Sequence, residues 1–407
     1  MEPLQRSAEE TVKKPKILPV ASLGDDPLGE ILLRLPDMAS LASAALVCKS
    51  WGQLACLPAI FRRFLSLRKP PLVGFILTNR SDKPHHCPDY SFISAKSGNP
   101  NLTSATADGD FLFHDLDLAD ADEGYYDDGW RLRGCNGGLL LLSRGSDALD
   151  LAVYDPIART AVFFHAPLRL FSHLVRYAII VDEADASFRV IAIDTWMNSP
   201  SALFSSRTHK WVIVYSYVLH AFYPCRTDGM AAGRFVYWRS DTKKSPYDSK
   251  EEKILMLDME TTVWSVIKAP VPPGESYCIA DMAEHGGLCI VSSKEQRIKL
   301  WVRNNNDEWR IKKEVLLMRE FGHLKDLHRD EWMKRVRILA MKAGYVYMEF
   351  WSKRKPHSYF LVLNLNTMKL EMFHNSLSRP FRGPRFPFFM LLSPLPAPED
   401  DKELQTA

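Results

Sequence analysis

The residues able to do chemistry are present in this chain but do not converge. His285-Gly286-Gly287 has the form of a loop that holds an oxyanion on backbone N–H groups. No Gly-x-Ser-x-Gly elbow accompanies it to supply a nucleophile. There is no Gly-x-x-x-x-Gly-Lys loop to cradle phosphate and no His-Glu-x-x-His pair to hold zinc. His85-His86-Cys87 is the one cluster with metal-ligand residue types, and no second Cys/His pair lies at zinc spacing. Between Asp108 and Asp128 the chain is acidic, with Asp115, Asp117, Asp120, Asp122, Glu123, Asp127 and Asp128 and no Lys or Arg. That spacing lacks the alternation of a calcium loop, so the stretch reads as a solvated insertion. These features call for no catalytic residue, no metal and no cofactor.

Composition narrows the classes further. The chain has 407 residues, room for two or three domains. Its net charge of +3 gives no bulk case for nucleic-acid binding. Seven cysteines are scattered without a C-x-x-C pair, the usage of a reducing compartment. Residues 1–16 lack the apolar core of a secretory signal, and no run of 18 apolar residues suits a membrane span. The expected location is cytoplasmic, nuclear or both, with no membrane partner.

The elements that would position any functional side chains fall into four segments: a flexible arm over 1–17, helices over 18–68, a β-rich domain over 70–392 and a disordered tail over 393–407. In the helical segment Asp26 is placed to cap a helix and Pro27 suits its first position. Leu28, Ile31, Leu32 and Leu35 then recur at helical spacing until Pro36. Ser40 is placed to cap a second helix carrying Leu41, Ala44, Ala45 and Cys48. A third runs from Trp51 through Leu54, and Pro58 opens a last turn with Phe61 and Phe64. About fifty residues bury little surface alone, yet these carry more large apolar side chains than short helices can hide. Some six of them buried on a partner would gain on the order of 10 kcal/mol, against association costs of roughly 4–15 kcal/mol.

The stretch from Leu23 to Pro36, then Ser40-Leu41, Leu46-Val47-Cys48-Lys49-Ser50-Trp51, Leu54 and Leu57-Pro58-Ala59-Ile60-Phe61, resembles the F-box. Two positions depart from the family pattern: Gly24 stands where Pro is usual, and Pro27 where an apolar residue is usual. The resemblance implies docking to an SKP-family adaptor, and through it to a cullin. The residues it implicates are Leu23, Pro27, Leu28, Ile31, Leu32, Leu35, Pro36, Leu41, Val47, Cys48 and Trp51. Sequence alone does not separate those that face the adaptor from those that form the segment's own core.

The β-rich segment repeats. A strand, a polar turn with Asp or Asn and often Thr, and a second strand recur at Ala152–Phe163, Leu203–Trp211, Ile254–Trp264, Lys299–Trp309 and Phe360–Leu370. A glycine followed by an apolar strand precedes most copies, at Gly134–Leu142, Gly233–Trp238, Gly286–Val291 and Gly344–Phe350. This is the cadence of propeller blades, and the length allows about six. Leu72–Leu77 and Phe386–Leu392 are placed to share one blade and lock the ring. The fold class expected is α+β multidomain: a small three-helix F-box followed by a mainly-β domain, a β-propeller of about six blades. The second half also resembles, more loosely, the domain that follows the F-box in plant proteins of the grass type.

The reading is therefore a non-catalytic substrate-recognition subunit of a cullin-based ubiquitin ligase, whose β-domain holds an unidentified protein target. The alternatives are an interaction module outside the ligase with a degenerate F-box and a propeller-fold hydrolase or oxidase. The basic run Lys294, Arg297, Lys299, Arg303, Arg310, Lys312 and Lys313, joined by Lys334, Arg335 and Arg337, marks an expected target-steering face.

Overall fold

A computed structural model of the chain describes residues 24–36, 38–67, 71–78, 89–95, 107–117, 129–145, 148–167, 171, 175–182, 185–194, 201–215, 227–239, 251–273, 275–282, 287–294, 297–304, 306–317, 334–352, 358–375 and 385–390. The expected arm over 1–17, the tail over 393–407, His85-His86-Cys87 and Leu23 lie outside the described residues. The chain divides into two compact units, one within residues 1–67 and the other within 68–393.

The described residues of the first unit form four helices: α1 (Asp25–Leu33), α2 (Met38–Ala45), α3 (Lys49–Cys56) and α4 (Pro58–Ser66). Two helix starts differ from expectation. α1 begins at Asp25, with Gly24 at the N-cap position and no side-chain cap. Pro27 is then the third helical residue, where its missing N–H would have had no intrahelical partner. Asp25 and Asp26 occupy the first turn, where carboxylates meet the positive end of the helix dipole. α2 begins at Met38, so Ser40 lies inside its first turn. The last element is also a full helix of nine residues. Leu28, Leu32 and Leu33 of α1, Leu41 and Ala44 of α2, Leu54 and Ala55 of α3, and Phe61 and Phe64 of α4 are buried. α1 and α4 approach closely: a Cβ on Gly29 would sit 3.3 Å from Ile60 Cδ1.

The second unit is a six-blade β-propeller. Among the described residues, blade 1 has three strands, in the order β2 (Tyr90–Ser94), β1 (Leu72–Thr78), β23 (Arg385–Phe389). The others are four-stranded meanders. Blade 2 holds β3 (Arg131–Asn136), β4 (Leu139–Arg144), β5 (Asp150–Asp155) and β6 (Thr160–His165). Blade 3 holds β7 (Val175–Val181), β8 (Phe188–Asp194), β9 (Ser201–Ser205) and β10 (Lys210–Val214). Blade 4 holds β11 (Met230–Ala232), β12 (Phe235–Arg239), β13 (Lys253–Asp258) and β14 (Trp264–Lys268). Blade 5 holds β15 (Ser276–Met282), β16 (Gly287–Lys294), β17 (Arg297–Arg303) and β18 (Trp309–Leu316). Blade 6 holds β19 (Lys334–Lys342), β20 (Tyr345–Ser352), β21 (Ser358–Asn364) and β22 (Leu370–Asn375). The inner strands touch in the cycle β23–β3–β7–β11–β15–β19–β23, which closes the ring.

Both sequence repeats have structural addresses. The polar turn joins the third and fourth strand of a blade. Asp155 Oδ1 accepts the N–H groups of Ile157 and Ala158 at 2.9 and 3.0 Å, and Asn364 Oδ1 those of Asn366 and Thr367 at 2.8 and 3.0 Å. Asp258 and Asn304 do the same in blades 4 and 5. The turn ends on a residue in the left-handed region: Arg159, His209, Thr262 and Met368 have φ of 52–60°. Side-chain caps of this kind make the turn local and portable. The glycine repeat joins the first and second strand and lets the next blade come close. A Cβ on Gly137 would lie 2.7 Å from Val181, and one on Gly233 would lie 2.4 Å from Asp281 Cβ.

Each pair of neighbouring blades encloses its own apolar core, and there are six such cores around the ring. The core between blades 1 and 2 corrects one expectation. The start of the acidic stretch is no solvated insertion: Phe111, Phe113 and Leu116 are buried there around a short helix, α5 (His114–Asp117). Phe111 stacks on Phe92 with centroids 3.9 Å apart, beside the blade that has one strand fewer. Asp110 is buried and accepts bonds from Tyr154 Oη at 2.9 Å and Asp115 N at 3.0 Å.

Closure depends on β23, which pairs antiparallel with β1 from the other end of the unit. Arg385 of β23 is salt-bridged to Glu349 of β20, and both side chains are almost wholly buried, at 2% and 1% exposure. Glu349→Leu leaves a guanidinium in the core without that counterion. It is expected to lower stability by about 3–5 kcal/mol, and adding Arg385→Met to recover most of the loss. Urea unfolding of the two variants checks this; equal stabilities would mean the pair is not what holds the closing strand.

Candidate functional site

The helical unit separates the apolar residues named from sequence into two sets. Leu28, Leu32 and Leu41 are 0–1% exposed and form the unit's own core. They pack the helices against one another. Ile31, Val47 and Cys48 are exposed, as are Pro27 and Pro36; Leu35 and Trp51 are half-buried.

The exposed apolar side chains come from two places. On α1, Pro27 and Ile31 lie one turn apart on the face away from Leu28 and Leu32. Between α2 and α3 the chain turns at Leu46 and Val47, whose N–H groups bond back to Ala42 O at 3.2 Å and Ala44 O at 3.1 Å. Cys48 then takes an extended conformation ahead of α3. The turn leaves Leu46 87% and Val47 66% exposed. Leu57, in the extended link between α3 and α4, is 47% exposed. Leu46 and Leu57 were not singled out as docking residues from sequence. The signal was their place at helix junctions, where a large apolar residue has no helix face to hide on. Glu30 and Arg63 pair across α1 and α4 at 3.2 Å.

The propeller offers less of what sequence led one to look for. The basic run of blade 5 is largely neutralised: Lys294 pairs with Glu275 at 3.3 Å, Arg297 with Glu314 at 3.1 Å, Arg303 with Asp307 at 3.2 Å and Arg310 with Glu308 at 3.7 Å. Lys313 Nζ donates to Leu365 O. Among the described residues no three His, Cys, Asp or Glu side chains gather as metal ligands do. His165 Nδ1 meets Asp150 Oδ1 at 2.7 Å, but both side chains are exposed on the outer half of blade 2. Burial pushes the Cys278 thiol up to about 12, although the Arg239 charge opposes it, and does the same to Cys135 against Lys342. Neither thiol is a nucleophile at neutral pH.

Residues 21–63 match the F-box domain family. The match spans all of α1, α2 and α3, and α4 through Arg63. No curated protein matches the chain. Among solved structures, oligogalacturonate lyase from Vibrio parahaemolyticus is similar at 9% identity and a TM-score of 0.34, covering 63% of this chain and 71% of that one. An oligogalacturonate lyase in complex with manganese is similar at 8% identity and a TM-score of 0.35, covering 60% of this chain and 64% of that one. Scores this low carry no weight for fold or activity; the propeller stands on its own sheet order.

The core and exposed sets of the F-box predict opposite behaviour. Leu32→Ala opens a void under α1 and is expected to cost about 2–5 kcal/mol. Val47→Ser, at an exposed turn, is expected to change stability by less than about 0.5 kcal/mol. Hydrogen exchange of the α1 and α3 amides distinguishes them. Gly24 has φ −65°, the value proline imposes, and nothing lies within 4 Å of a Cβ there. Gly24→Pro, the residue usual in the family, is therefore expected to slow exchange at the start of α1, by about 0.4–1 kcal/mol of added stability.

Proposed function

We propose that the chain is the substrate-recognition subunit of an SCF-type, cullin-based ubiquitin ligase. Its F-box docks on an SKP-family adaptor, and its propeller holds a protein target for ubiquitination. The observation that carries this reading is the coincidence of the F-box match with exposed apolar side chains on that segment: Ile31, Leu46, Val47 and Leu57. Large apolar groups left in water on a small helical unit mark a partner surface.

In this reading the protein does no covalent chemistry. It raises the effective concentration of target beside the charged conjugating enzyme. The docking set is Ile31 and Val47 from the residues named in sequence, extended to Leu46 and Leu57. Pro27, Leu35, Pro36, Cys48 and Trp51 flank it, with Leu23 leading into it. Leu28, Leu32 and Leu41 hold the helices that present it. Residues 18–68 act as the docking module and 70–392 as the target platform, of the kind that follows the F-box in grass-type plant proteins. The reducing-compartment cysteine usage suits a cytoplasmic or nuclear site of action.

Four apolar side chains removed from water contribute about 6–12 kcal/mol before association costs. The full chain is therefore expected to co-purify with the adaptor, and Ile31→Asp/Val47→Asp to abolish this while leaving the helical circular-dichroism signal unchanged. Retention of adaptor by the double variant would mean the exposed set is not the docking surface. Failure of the wild-type chain to bind would reduce the F-box to a remnant.

A further inference from the structure

Blades 2 to 6 each end in an outer strand beyond which no described strand pairs: β6, β10, β14, β18 and β22. A sheet edge left flat and apolar offers itself to another chain. Most of these edges are protected. β18 sets Ile311 between Arg310 and Lys312, and its register with β17 shifts part-way. The register of β22 with β21 shifts likewise. In β14 only Lys268 is exposed, and it is salt-bridged to Glu251. β6 exposes a single large apolar side chain, Phe163. β10 is different. Its register with β9 runs without a shift. Val212, Ile213 and, one residue past the strand, Tyr215 are 59%, 40% and 78% exposed.

The ladder fixes which main-chain groups of β10 point outward. Ser206 N–H donates to Phe188 O across the β8–β9 pair, so Ser205, Leu203 and Ser201 turn their N–H and C=O toward β10. Their partners Lys210, Val212 and Val214 face back to β9. Trp211 and Ile213 therefore direct their N–H and C=O out from the edge, where no described strand meets them. Both faces of the strand are apolar. Trp211 packs on the core between blades 2 and 3, and Val214 on the core between blades 3 and 4. By alternation Ile213 shares the face of Trp211, and Val212 that of Val214.

The rim is also less tied here than elsewhere. A tryptophan stands at or near the start of the outer strand in blades 3, 4 and 5: Trp211, Trp264 and Trp309. Trp211 Nε1 donates to His165 O, at the end of β6, at 2.7 Å. Trp309 Nε1 donates to Lys268 O, at the end of β14, at 2.8 Å. Each bond fastens the outer strand of the preceding blade. Trp264 makes no such bond to β10. Its ring lies against Trp238, with centroids 5.6 Å apart, and its buried N–H has no partner. The end of β10 thus lacks the tie that holds the ends of β6 and β14.

We propose that the outer edge of β10 docks an extended segment of a partner protein, which adds to blade 3 as a fifth strand. The N–H and C=O groups of Trp211 and Ile213 supply the main-chain bonds. Val212, Ile213 and Tyr215 favour β-branched or aromatic side chains in the added strand. Lys210 is exposed and has no carboxylate partner among the described residues, so it calls for an acidic residue opposite the start of β10. Size decides against a second copy of the chain as the occupant. A stable protein–protein interface takes about 20–30 residues a side, whereas β10 has five residues. A short strand fits that edge. This docking is separate from the adaptor surface and holds whether or not the chain serves a ligase.

The test uses the full chain and a fluorescein-labelled peptide, Gly-Ser-Thr-Val-Thr-Val-Thr-Val-Asp-Gly, read by anisotropy. The peptide is expected to bind. N-methylation of its middle valine and the threonine before it blocks both peptide edges, keeps every side chain and is expected to weaken binding about tenfold or more. Ile213→Pro removes an outward N–H and no bond of the ladder to β9, and Ile213→Lys puts a charge on the edge. Each is expected to weaken binding about tenfold or more with an unchanged melting temperature; if the proline variant does not fold, the lysine variant decides. Ile311→Lys on β18 is expected to change binding little. Hydrogen exchange of the Ile213 amide is expected to be fast in the free chain and at least about tenfold slower with saturating peptide. No binding of the parent peptide, equal binding of the N-methylated one, or equal loss in the β10 and β18 variants overturns the proposal. So does a dimer in light scattering that Ile213→Lys dissolves, which gives the edge to a second copy. An Ile213 amide already protected in the free chain gives the edge to a segment of the chain itself and overturns it too.

Discussion

A propeller blade cannot bury its two faces by itself, and everything in the larger unit follows from that constraint. Each sheet lends one face to the core before it and the other to the core after it, so six sheets make six cores only if the last meets the first. The meeting is made by β23, which supplies the inner strand of a blade whose other strands, β1 and β2, lie some three hundred residues earlier. Its register is narrowly set. Gly74 of β1 faces Phe388, and any Cβ on Gly74 would lie 2.3 Å from Ile93 O and 2.5 Å from the Phe92 ring. Pro387, which has no N–H to give, sits on the strand edge that faces no further strand.

The Arg385–Glu349 pair adds specificity rather than bulk stability. Removing two charges from water costs several kcal/mol per ion, and a well-packed apolar pair of similar size would hold the strand as firmly. What the charges exclude is slippage. A one-residue shift of β23 turns Arg385 to the other face and leaves Glu349 buried alone. In a ring assembled from similar repeats, where several blades could in principle accept a closing strand, such a mark is worth more than another leucine.

The local parts of this architecture were legible in the sequence. Both repeats landed on their turns because a side-chain cap at Asp155, Asp258 or Asn364 and a glycine at 137, 233 or 344 solve backbone problems within a few residues. Helix faces read equally well, since Leu28 and Leu32 obey a period. What failed did so where a tertiary partner decides. Ser40 is an acceptable cap, but the helix extends back to Met38. The acidity of 108–128 hid Phe111, Phe113 and Leu116, which fill the space beside a three-stranded blade. The basic run of blade 5 looked like a face because its acids, Glu275, Glu308 and Glu314, are interleaved with or outside it.

The same division explains the small unit. Its core is satisfied by nine buried apolar side chains from all four helices, including Phe61 and Phe64 of α4. That leaves no interior position for Ile31, Leu46, Val47 or Leu57. Polar residues at these places would leave that core unchanged, since exposed positions tolerate them within about 0.5 kcal/mol. Retaining apolar groups there therefore has no explanation in the stability of the unit. The docking proposed for this segment accounts for it.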